Sequence, residues 1–129
     1  MVKAKRVGVP YGVEVTNGQN VLLSDTQKDG KGGTTGMRPH ELLESALAAC
    51  VCMSIGMAAD RAGVALPEAT VQVDIDRLDD ETGFEVSLRF AAALTAAQQD
   101  LVRDAAQASP VARTLGKTVR VRPAVFLVA

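Results

Sequence analysis

The sequence predicts an α+β domain in which small β-sheets pack on one long, central, apolar helix. Three observations carry that expectation. Apolar and polar residues alternate through Val71–Ile75 and Phe84–Phe90, an almost uncharged stretch is framed by Pro39 and Gly63, and Thr95-Ala-Ala-Gln98 is a helix-start pattern. At 129 residues the chain is long enough for one domain with a real core and too short for two, so residues 1–129 are read as a single domain.

Taken in order, Tyr11-Gly-Val-Glu-Val-Thr, Asn17-Gly18 and Gln19-Asn-Val-Leu-Leu read as a hairpin on a tight Asn-Gly turn. From Thr26 to Arg38 the chain is rich in Gly, Lys and Thr, a mobile loop with no packing face. It lacks the Gly-Lys-Ser/Thr ending of a phosphate loop and reads as a flexible rim. Pro39 suits the first turn of a helix and Gly63 the position just past its end, about 24 residues or roughly 36 Å later. Val71, Val73 and Ile75 then face one side of a strand, with Gln72, Asp74 and Asp76 on the other. Asp79-Asp-Glu-Thr-Gly83 turns the chain into Phe84, Val86, Leu88 and Phe90. A helix follows Thr95 through about Gln107, and Ser109-Pro110 caps a short helical turn that Gly116 ends. Val119-Arg-Val-Arg and Val125-Phe-Leu-Val are the final strands.

Composition excludes several functions. A net charge of -1 leaves no electrostatic footprint for nucleic acid or an anionic membrane, and 3% aromatic residues give no base-stacking surface. The basic start Met1-Val-Lys-Ala-Lys-Arg has no apolar segment behind it, and two cysteines two positions apart cannot staple a secreted scaffold. A soluble cytoplasmic protein is the expectation. The long helix matches a bilayer in length, but Glu41, Glu44 and Asp60 fall within it, so no membrane span is expected.

The same helix raises a packing problem. From Ala46 to Ala59 only Ser54 and Gly56 interrupt its apolar or small residues, and a helix apolar all round must be buried all round. One small domain cannot supply that cover. A second copy of the chain can, which predicts a homodimer with this helix at its centre. Within it, Cys50 is either a small core residue or a protected reactive thiol. Apolar burial raises a thiol's pKa, and mid-helix placement denies Cys50 the helix N-terminus, so a cation from elsewhere is expected if it reacts. Cys52 points about 200° away on the helix and reads as packing. His40-Glu-Leu-Leu-Glu44 opens like a zinc motif but ends in Glu, and the chain has no second histidine, so neither metal nor cofactor is expected.

The segment Gly36-Met-Arg38-Pro39-His-Glu-Leu-Leu-Glu-Ser-Ala-Leu-Ala-Ala-Cys50 resembles the signature of the OsmC/Ohr family of thiol-dependent peroxidases. In that family a Pro-Glu-x-Leu stretch opens a long central helix carrying the reactive cysteine. Ala108-Ser109-Pro110-Val111-Ala-Arg113-Thr-Leu115 resembles its second motif, Cys-Pro followed by a short helix and a final strand. The resemblance implies an OsmC-like fold, an intertwined homodimer with sites at its interface, and reduction of organic hydroperoxides. Cys50 falls at the peroxidatic position and Ser109 at that of the resolving cysteine. Serine forms no disulfide, so an external thiol becomes the reductant. The family's glutamate falls on His40, with Glu41 beside it; its arginine lies in N-terminal strands, and residues 12–25 hold none. Arg6, Arg38 and Arg113 are the remaining cationic candidates. The alternative is a non-catalytic dimer of this fold, binding a small apolar ligand or sensing redox state through Cys50.

Overall fold

The structure, a computed structural model, describes residues 1–8 and 10–128. It has the expected mixture of small sheets and one long helix, in two compact units: Met1–Ala48 with Gln72–Ser87, and Ala49–Val71 with Leu88–Ala129.

In the first unit, β1 (Lys3–Arg6), β2 (Val13–Thr16) and β3 (Val21–Ser24) form an antiparallel sheet in that order. The predicted hairpin is β2–β3, paired Thr16 to Val21. Asn17 closes it, its Oδ1 accepting from the backbone of Gln19 at 2.9 Å and Asn20 at 2.8 Å. β1 was not expected. Its lysines hide the strand in the sequence, and all four of its residues are exposed, so no apolar face marked it.

The loop read as lacking a packing face is in fact tied down. β4 (Gln27–Lys28) and β5 (Lys31–Gly32) make a two-stranded hairpin around Asp29-Gly30, both with positive φ, as a type I′ turn requires. Asp25, buried, anchors the remainder. Its carboxylate accepts from the Thr26 backbone at 2.8 Å and from the Thr35 hydroxyl at 2.8 Å, while the Ser24 hydroxyl donates to the Met37 carbonyl at 2.7 Å. The Thr35 hydroxyl, followed by the Thr26 amide, holds the Asp25 carboxyl below the usual carboxylate range.

Helix α1 (Pro39–Ala62) has the predicted limits. Arg38 begins it, its carbonyl accepting from Leu42 N at 3.1 Å. Gly63 ends it at φ +65, with Gly63 N donating to Asp60 O and Val64 N to Ala59 O, the paired bonds of a Schellman motif. Leu47 on α1 is buried in the first unit; Val51, Ile55 and Ala59 continue that stripe in the second. The opposite face is apolar yet open: Leu43, Met53 and Met57 are exposed. By length and composition α1 is able to cross a membrane.

β6 (Ala69–Arg77) and β7 (Thr82–Phe90) form the second expected hairpin, antiparallel because a connection this short allows nothing else. Val73 is buried while Gln72, Asp74 and Asp76 are exposed, as the alternation predicts. Within the first unit, Glu44 of α1 accepts from Ile75 N at 2.9 Å. The second unit holds α2 (Ala96–Gln107) and α3 (Pro110–Leu115). The α2 capping box forms as read: Thr95 Oγ1 accepts from Gln98 N at 3.1 Å, and Gln98 Oε1 accepts from Thr95 N at 2.8 Å. Val102 and Ala105 supply its buried face.

The final strands do not form. Residues 119–128 have no regular structure in this chain, and their apolar side chains are open, Phe126 at 97% exposure. The alternation of 119–122 and the apolar run of 125–128 are present, but a strand exists only against a neighbour that answers its backbone hydrogen bonds, and the segment pairs with none of the described strands.

Candidate active site

Cys50 lies midway along α1, partly buried, and the second unit closes around its sulfur. Val111 N, in the first turn of α3, donates to Cys50 Sγ at 3.5 Å. Ser54 stands one turn further along α1, on the same face by its i,i+4 spacing. Ser109, which precedes α3, is 0% exposed. As an N-cap its hydroxyl was expected to bond the first turn of α3, yet it makes no such bond; only its carbonyl serves the helix, accepting from Arg113 N at 3.0 Å.

Among the described residues the Ser109 hydroxyl has no well-aligned hydrogen-bond partner, and it is also the strongest influence favouring the Cys50 anion. The two facts agree physically. A neutral thiol is a weak acceptor that gives the hydroxyl little reason to align, whereas a thiolate is a strong one. Ser109, then the Val111 amide, then Ser54 together lower the Cys50 thiol from its ordinary value, against burial, which raises it. Within this chain the groups that lower the thiol are neutral donors, not a cation. Arg113, the only charged residue of α3, is exposed and is not among the groups that shift the sulfur.

The remaining predicted residues gather elsewhere. Arg38 and Glu41 pair at the start of α1, where Glu41 Oε1 accepts from both the backbone N and Nε of Arg38 at 3.0 Å. The Arg38 amide, then its guanidinium, hold the Glu41 carboxyl low. This pair is a helix cap completed by charge. It borders an open hollow of ≈ 480 Å³ lined also by Gln27, Gly33, Thr34, Gly36 and Met37. His40 stands two positions after Arg38 but meets Arg77 instead, Nε2 lying 3.4 Å from Nη1. Arg6 donates to the Pro10 carbonyl at 3.1 Å. Cys52, read as a packing residue, is exposed. Among the described residues no three of His, Cys, Asp and Glu gather as a metal site, and both cysteines are free.

Sequence reading missed two of the three donors. Ser54 was recoverable, since it lies at i+4 from Cys50. Val111 was not, because a backbone amide carries no residue signal.

A sequence model of the family described as OsmC-like protein matches residues 30–123. No curated protein matches. Among solved structures, one described as an osmotic stress induced and detoxification response protein from Psychrobacter arcticus 273-4 is similar at 22% identity and TM-score 0.74, over 88% of this chain and 85% of that one. One described as an organic hydroperoxide resistance protein from Vibrio cholerae O1 biovar eltor is similar at 28% identity and TM-score 0.61, over 89% and 83%. OhrB of Bacillus subtilis is similar at 19% identity and TM-score 0.57, over 88% and 87%. With the family match spanning both the Cys50 helix and the Ser109 segment, the chain belongs to the OsmC-like protein family.

Proposed function

We propose that this chain is an oxidative-stress protein that reduces organic hydroperoxides through Cys50 and is returned to its thiol form by an external thiol. The observation that carries the reading is the convergence of the Ser109 hydroxyl, the Val111 amide and the Ser54 hydroxyl on one sulfur, which favours the reactive anion. The Vibrio cholerae relative described as an organic hydroperoxide resistance protein supports the same reading.

The chemistry balances with the residues present. Cys50 thiolate attacks the terminal oxygen of R–O–OH, the O–O bond breaks, and the alkoxide takes a proton to leave as ROH. The sulfur, oxidised by two electrons, becomes a sulfenic acid. With serine at position 109, a thiol from outside attacks the sulfenic sulfur, water departs, and a second thiol reduces the mixed disulfide. Apolar residues along α1 suit alkyl over hydrogen peroxide. No cofactor enters this scheme.

A soluble, cytoplasmic homodimer is part of the proposal. Its support is the apolar surface this chain leaves open: Met53 at 61%, Met57 at 54% and Phe126 at 97% exposure. Light scattering that finds a stable monomer at micromolar concentration overturns the dimer. Peroxide-dependent oxidation of a dithiol by the parent, Cys50→Ser and Cys52→Ser tests the reaction. Loss confined to Cys50→Ser is the expected result. A folded parent inert with every peroxide and dithiol rejects the enzyme in favour of a redox sensor.

A further inference from the structure

We propose that Ser109 is the positioning residue of this site: its buried hydroxyl, free of any other partner, donates to Cys50 Sγ once the sulfur is ionised, so that neutral donors hold the anion where a cation was expected. The inference rests on the Cys50 reading above and adds a specific role for a residue whose side chain forms no disulfide.

Three features of the geometry lead there. First, Ser109 is fully enclosed, and a buried hydroxyl without a partner forfeits its hydration with nothing in return. Such an orphan calls for an acceptor that is present only in another state of the molecule. Second, the obvious alternative use is closed. Ser109 begins α3, and a serine there normally accepts from the second or third amide of the helix, but its side chain makes no capping bond. Third, the next residue but one, Val111, already directs its amide at Cys50 Sγ from 3.5 Å. The chain turn at Ser109-Pro110 therefore presents two donors to one sulfur, one backbone and one side chain. Pro110 contributes no amide of its own and fixes the start of α3.

The charged groups nearby do not offer a substitute. On α3, Arg113 is exposed; on α1, Asp60 and Arg61 are exposed and more than two turns beyond Cys50; on α2, Arg103 pairs with Asp100 at 3.0 Å. None of them figures among the influences on the sulfur, whereas Ser109 leads them.

The test reads thiol ionisation directly, independently of any peroxidase activity. In a Cys52→Ser background, the rate of Cys50 alkylation by iodoacetamide is measured against pH for the parent, Ser109→Ala and Ser54→Ala, with thermal unfolding to follow the fold. Ser109→Ala is expected to move the profile up by about one pH unit, a roughly tenfold loss of thiolate at neutral pH. Ser54→Ala, which removes the weakest of the three donors, is expected to move it less. A methyl in place of a buried, unpartnered hydroxyl leaves thermal stability unchanged or higher, so a purely structural role predicts no movement of the profile. An unmoved profile in Ser109→Ala, or a shift no larger than that of Ser54→Ala, overturns the inference. If the parent reduces no peroxide yet Ser109→Ala still shifts the profile, the enzyme reading fails and the positioning role stands.

Discussion

Cys50 and Cys52 share a helix and a functional group, and two positions separate them, yet they occupy different chemical worlds. Cys50 meets two donors from α3 and its preceding turn, Val111 and Ser109, and a third, Ser54, from its own helix. Cys52 is exposed, about 200° round α1 from Cys50. The contrast teaches that reactivity resides in what other elements bring to a thiol. The helix sets the direction in which each sulfur points and adds one donor, Ser54, to Cys50.

The largest expected effect tests that contrast at its centre. Cys50→Ser lowers peroxide-dependent dithiol oxidation by about 10³-fold or more, because the nucleophile is gone. Cys52→Ser stays within about twofold of the parent. Equal losses in both would erase the distinction between the two faces. Next in size is packing. Ile55→Ala, on the buried stripe, costs about 3 kcal/mol in urea unfolding. Met57→Ala, on the open face, changes unfolding of the single chain by under about 0.5 kcal/mol but loosens self-association, read by light scattering against concentration.

A pH measurement sharpens the comparison further. The folded state lowers the Cys50 thiol, so its thiolate contributes stability above the ordinary thiol pKa. That contribution is lost as pH falls through the lowered folded value. The stability of the parent relative to Cys50→Ser therefore rises with alkaline pH, by thermal unfolding across that window. A falling difference would mean that burial, not the donors, governs the sulfur.

The smallest effect belongs to the charged pair at the head of α1. Glu41 is held low by Arg38, so its contribution is present above the ordinary carboxylate pKa and fades as pH falls through the lowered value. Glu41→Gln lowers the melting temperature slightly at neutral pH, less so in high salt, and the difference vanishes in acid that protonates the parent's Glu41.

Much of this fold is written in local signals. Pro39 and Gly63 bound α1, Thr95 and Gln98 start α2, and Asn17 folds β2 onto β3, each through chemistry acting within a few residues. What escaped reading is what depends on distant partners. β1 has no apolar face of its own, the Asp25 latch joins residues 10 apart to order a glycine-rich loop, and residues 119–128 carry strand-like sequence yet pair with no described strand. The site divides the same way. Cys50 and Ser109 were picked out by the resemblance of their segments to the family's two motifs, whereas the enclosure of the Ser109 hydroxyl and its lack of a bond to α3 are visible only in the folded chain.

Gly56 gives the open face of α1 a last consequence. It sits in mid-helix, where glycine is less favourable than alanine by about 0.5–1 kcal/mol, and a methyl group added there would meet nothing within 4 Å. Taken alone, the chain would gain from alanine at this position. Set against a second helix, the same absent methyl becomes a notch that lets two backbones draw together. The substitution a solitary chain would welcome is thus the one a closely packed helix pair would resist.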